Sequence, residues 1–127
     1  MTTLHILENF KKNLIDFFDE LREQFPNEGS FFIIRIFLKD QIPIEHAMME
    51  WVRKIYKDNG FIKKMIKERN DDIFLNNDIF TSFNEDVTTS LKKIWLSDEV
   101  DNDDRDVIWR WMDMFVLLAE KYKESIN

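Results

Sequence analysis

The chain has no cysteine among its 127 residues, and only two glycines and two prolines. Without thiols, disulfide frameworks, thiolate zinc sites and cysteine nucleophiles are excluded. Glycine and proline supply the tight turns of multi-strand sandwiches and barrels, so their scarcity argues against those folds. Phosphate loops and dinucleotide fingerprints need glycines at fixed spacing, which Gly29 and Gly60 do not provide. No apolar run approaches the roughly 18 residues of a membrane span. The longest, from Phe31 to Leu38, is interrupted by Arg35. From Met1 to Phe10 no basic segment leads into a signal-like apolar stretch, so the expected location is intracellular, cytoplasm or nucleus.

What is present suits a helical domain. Hydrophobic residues make up 44% of the chain and charged residues 34%, enough of both to bury a core and keep a polar surface. The length predicts one domain over residues 1–127. Eighteen Lys and Arg against 25 Asp and Glu give a net charge of −7, which argues against a general nucleic-acid coat. Membrane association is not expected either.

Apolar spacing predicts the elements. Leu7, Phe10, Leu14, Phe17, Leu21 and Phe25 recur at three- and four-residue steps, with Ile6 and Phe18 beside them. They predict a first helix from about Thr3 to Phe25, capped by Thr2 or Thr3 and ended by Pro26. The nearly all-apolar stretch after Gly29-Ser30 reads as a buried helix rather than a strand, because no second strong strand exists to pair with it. Pro43 opens a third helix with Ile44, Met48, Trp51 or Val52, and Ile55 inward, and Asn59-Gly60 is a stop signal. A fourth helix is expected from Phe61 to Arg69, with Phe61, Ile62, Met65 and Ile66 opposite three lysines. Residues 70–78 read as a loop anchored by Ile73-Phe74-Leu75, with Ile79, Phe80 and Phe83 continuing the anchor. A fifth helix from Glu85 to Leu96 turns Val87, Leu91, Ile94 and Trp95 inward. The last, about Asp104 to Ser125, is capped by Asn102 or Asp103. The expected fold is all-α, a single bundle of five to six helices.

Catalytic constellations are not legible. His5 and His46 have no second histidine at metal-binding spacing, and His46 with Glu50 makes only half a site. The acidic run from Asp98 to Asp104 has neither the glycine turn nor the bidentate glutamate of a calcium loop. No nucleophile elbow accompanies the serines. The expectation is a protein that is not an enzyme and uses no metal and no cofactor.

Charge and leftover aromatics point instead to binding. From Arg53 to Arg69, seven cations face two carboxylates, a local +5 in an acidic chain. Arg53, Lys54, Lys57, Lys63, Lys64 and Lys67 are therefore candidate docking residues for an acidic partner or a phosphate backbone, against the plainer reading of a solvated face. In the last helix Ile108, Met112, Phe115, Ala119, Tyr122 and Ile126 form one seam. That leaves Trp109, Met114 and several aliphatics, so either the helix is surrounded or one side is an interface. Trp109 and Met114 are the candidate interface residues.

Several stretches also carry a resemblance: Leu7-Glu8-Asn9-Phe10 through Phe25-Pro26, Ile36-Phe37-Leu38-Lys39-Asp40-Gln41-Ile42-Pro43, and Lys92-Lys93-Ile94-Trp95 followed by Val107-Ile108-Trp109-Arg110-Trp111 and Leu118-Ala119-Glu120-Lys121-Tyr122. They resemble small helical proteins of nucleocytoplasmic large DNA viruses. The resemblance implies a viral source and a location in the host cell or the virion, and it transfers no functional residues. The expected role is a non-enzymatic protein–protein interaction factor with a host, viral or self partner. The alternatives are a small virion or capsid component, or a nucleic-acid accessory protein using residues 53–69.

Overall fold

Thr2 receives the His5 backbone N–H on its hydroxyl and starts helix α1 (Thr3–Gln24). The six residues of its expected stripe are all buried, as are Ile6 and Phe18. The computed structural model describes residues 2–77, 79 and 85–127, and every regular element among them is helical. No helix among these residues is long and apolar enough to cross a membrane.

The apolar stretch beyond Pro26 is helix α2 (Gly29–Asp40), antiparallel to α1. The register follows from three contacts. Lys11 Nζ donates to the Lys39 carbonyl (3.0 Å), Arg35 Nε lies 2.7 Å from Asp19 Oδ1, and the Arg22 guanidinium covers the Phe32 ring at 5.6 Å. On its other side α2 meets α5 (Glu85–Trp95). There Ser30 donates to Ser90 (2.7 Å), Ser90 donates to Glu28 Oε2 (3.1 Å), and Lys93 pairs with Glu28 Oε1 (2.7 Å). The Glu28 carboxylate is thus drawn toward α5 and makes no cap for α2.

Helix α3 (Ile44–Lys67) starts after Pro43 and is broken where Asn59-Gly60 predicts a stop. Lys57 is extended, and Asp58, Asn59 and Gly60 all have positive φ. Asp and Asn tolerate that region and Gly enters it freely. The expected fourth helix is therefore the second limb of α3. Its Met65 and Ile66 are buried, whereas Phe61, expected on the same side, is exposed.

The anchor in the next loop is a single helical turn, α4 (Asp72–Leu75), which buries Ile73 and Phe74. Ile79 is buried as expected, while Phe80 and Phe83 lie outside the described residues. The inward set of α5 is fully buried.

Helix α6 (Asn102–Ile126) packs against α1 and α3. Its cap is Asp101, one residue before the expected pair. Asp101 accepts from the Asp104 N–H (2.8 Å), and Asp104 accepts from the Asp101 N–H (3.1 Å). This reciprocal capping box gives the acidic run a structural role. Phe115 is the hub, meeting Phe10, Phe17 and Trp111 at ring centroids 6.1, 5.5 and 6.0 Å away. Its carbonyl receives the buried Trp51 indole N–H of α3 at 3.0 Å.

Replacing Trp51 by Phe removes that hydrogen bond and some volume, and should cost about 1–3 kcal/mol by chemical denaturation. The Lys93 hydrogen bond and charge hold the Glu28 carboxyl below its ordinary pKa, with Ser90 adding to the effect against desolvation. A depressed carboxylate pKa stabilises the fold above the unfolded value of about 4.3 and ceases to do so as pH falls through the folded value. Glu28→Gln should therefore lower the unfolding midpoint near neutral pH, and its difference from wild type should shrink steadily on acidification.

Candidate interaction surfaces

The α3 break divides the basic segment. Lys54 donates to the Ile79 carbonyl (3.0 Å), and Arg53 pairs with Glu50. Lys57 lies on the same limb and is exposed. Beyond the break, Lys63 pairs with Glu120 of α6 (3.2 Å), and Lys64 stands 3.9 Å from Glu68. Lys63 and Lys123 both sit over the Tyr56 ring, at 5.5 and 3.8 Å. Lys67 lines the shallow cleft beside them. The segment is therefore not one continuous basic face. Its cations serve two limbs, and ion pairs with Glu50, Glu120 and Asp113, all outside the segment, offset part of the charge that composition assigned to it.

Trp109 requires a correction. It is 4% exposed, so it presents no surface to a partner. Its ring packs with Phe74 (5.0 Å) and Trp95 (5.3 Å), which themselves stack 4.4 Å apart. Arg69 covers the cluster at 5.7 Å from the Trp109 ring while gripping both Asp113 oxygens at 2.7 and 2.6 Å. The backbone prepares this grip. Arg69 adopts positive φ just past α3, where its N–H reaches the Ile66 carbonyl and Asn70 N–H reaches that of Met65. This is a helix-ending motif with arginine in the position glycine usually takes. α6 is thus surrounded on this side, and Val116 and Leu118 are buried too.

Met114 does lie at the surface, with Val107 and Leu117 on the same outer side of α6. Trp111 is accounted for by the core: it stacks on Phe115 and donates its indole N–H to Glu20 (2.8 Å). Ile126, expected in the seam, is exposed at the helix end.

The larger apolar surface is on α2, where the sequence predicts a buried helix. Only Ser30, Phe31, Ile34 and Leu38 are fully buried. Phe32, Ile33 and Ile36 point outward at 48%, 45% and 39% exposure, with half-buried Phe37 at their edge. They share one side of the helix because they sit at i, i+1 and i+4. The signal was in the sequence: a helix apolar all round needs neighbours on every side, and α2 has only α1 and α5 among its principal contacts. No group of three or more metal-ligating side chains gathers among the described residues.

Trp109→Ala should cost the fold about 3–5 kcal/mol, the range for a buried aromatic. Met114→Ala should stay within about 1 kcal/mol. Thermal and chemical denaturation of the two variants will separate the buried face of α6 from its open face.

Compared with known proteins, the chain matches no family model, no curated protein and no solved structure. Its functional reading therefore rests on the chemistry of these surfaces.

Proposed function

We propose that the protein is a non-enzymatic protein–protein interaction factor that docks its partner on the outer face of α2. The observation that carries this reading is the exposed triplet Phe32, Ile33 and Ile36 on a helix whose other side is fully packed. Apolar side chains in water forgo roughly 25 cal/mol per Å2 of burial, and a neighbouring group of them is a common mark of a binding surface. The exposed side of α6, with Met114 and Leu117, supplies a second, smaller surface in support. The viral source implied by the sequence resemblance belongs to the same proposal, with a host or viral protein as the partner.

The test is quantitative affinity capture from native cells, using wild type beside a Phe32→Ser, Ile36→Asp variant. Both positions are exposed, so the variant should melt within about 1 kcal/mol of wild type. The expected outcome is a defined set of proteins retained by wild type and depleted at least about tenfold with the variant. Equal recovery by the two proteins contradicts the reading.

A further inference from the structure

A cleft of about 430 Å3 lies where the C-terminal half of α1 meets the N-terminal half of α6, and no residue of α2 lines it. Its floor is apolar and partly aromatic. Phe17, Leu21 and Ile108 are buried there, with half-buried Trp111 and exposed Val107 beside them. Its rim is acidic: Glu20 and Glu23 stand on α1 and Asp104 on α6, and no cation lines the cleft. Among the described residues none of these three carboxylates forms an ion pair. Glu20 accepts the Trp111 indole N–H (2.8 Å) and Asp104 accepts the Asp101 N–H (3.1 Å), neutral donors that leave both negative charges in place. Glu23 is exposed in the last turn of α1, where the helix dipole disfavours a carboxylate. The cations nearest in sequence turn elsewhere. Arg22 pairs with Asp19 and covers Phe32, Arg105 donates to the Trp95 carbonyl and covers the Trp95 ring, and Arg110 donates to the Asp106 carbonyl. Exposed Asp101 and Asp103 extend the negative charge past the end of the cleft.

We infer that this cleft is a docking surface, separate from the α2 face, for an arginine-bearing basic segment of a protein partner. The arginine stems lie on Leu21, Val107 and Trp111, and the guanidinium heads reach Glu20, Glu23 and Asp104. Arginine suits both parts of the site. Its stem covers apolar surface, and its planar head stacks on an indole and holds carboxylates in bidentate fashion.

The other occupants fit less well. A small organic cation would neutralise the cleft alone and leave Asp101 and Asp103 beside it uncovered. A second copy of the chain would have to offer its basic segment, whose Arg53, Lys63 and Arg69 already hold Glu50, Glu120 and Asp113. Nucleic acid and anionic lipid are repelled by the rim.

The experiment uses the purified full chain and a short labelled peptide of alternating arginine and serine. A matched peptide carries citrulline, the neutral isostere, in place of each arginine. Fluorescence anisotropy should show the arginine peptide binding at least about tenfold more tightly, with the advantage shrinking as salt is added. In NMR titration the Trp111 indole N–H signal should move, while that of Trp51, held by the Phe115 carbonyl, stays in place. Glu20→Gln with Glu23→Gln keeps an acceptor for the Trp111 indole, should melt as wild type does, and should weaken binding at least about tenfold. Val107→Lys, which sets a competing cation on the exposed edge of the floor, should weaken it as well. Glu8→Gln with Glu124→Gln removes the same charge at the opposite end of both helices, where Thr3 meets Ser125. That pair should change binding less than about twofold. Equal losses in the two double variants, an unmoved Trp111 signal, or no advantage of arginine over citrulline overturns the inference. Self-association in sedimentation equilibrium that Glu20→Gln with Glu23→Gln abolishes also overturns it, because the occupant is then a second copy.

Discussion

The position of Phe115 constrains the whole fold. Its ring gathers aromatics from α1 and from its own helix, and its backbone carbonyl accepts the Trp51 indole N–H from α3. One residue thereby fixes three helices. A buried indole N–H must find an acceptor, and the surrounding rings exclude water from the bond that satisfies it. Once α1 and α3 are fixed to α6, the short α4 and the end of α5 close the third side through Phe74, Trp95 and Trp109.

That enclosure determines where apolar surface is left over. α6 has the most varied apolar pattern but is covered on most of its circumference. α2 is more uniformly apolar and lies at the margin, held by α1 on one side and by the Ser30–Ser90–Glu28–Lys93 polar contacts on the other. Among the described residues only α1 and α5 pack closely on it. Its outward Phe and Ile are therefore displayed. Binding chemistry and core construction are two sides of the same twelve residues.

Much of this architecture is legible in the sequence. The stripe of α1, the inward set of α5 and the break at Asn59-Gly60 follow from local spacing and backbone preference, because each depends on residues within a turn or two. Trp109 and Ile33 differ in kind. Periodicity assigns a residue to a side of its helix, but coverage of that side depends on segments distant in sequence. Trp109 is buried because Phe74 and Trp95 reach it and Arg69 lids it. Ile33 and Ile36 are exposed because no helix among the described residues packs on their side of α2, whose principal neighbours are α1 and α5. The charge of the basic segment depends on the fold in a related way: its composition leaves out the pairing of Lys63 with Glu120, Arg53 with Glu50 and Arg69 with Asp113, carboxylates that lie outside it in sequence.

The central claim is that the α2 triplet is open in the free protein. Methyl NMR with a soluble paramagnetic probe tests it most directly. At low protein concentration, the methyl groups of Ile33 and Ile36 should relax strongly with the probe, while those of Ile34, on the opposite side of the same helix, stay protected. Protection of all three isoleucines would mean that the chain itself covers this face, and would contradict the account.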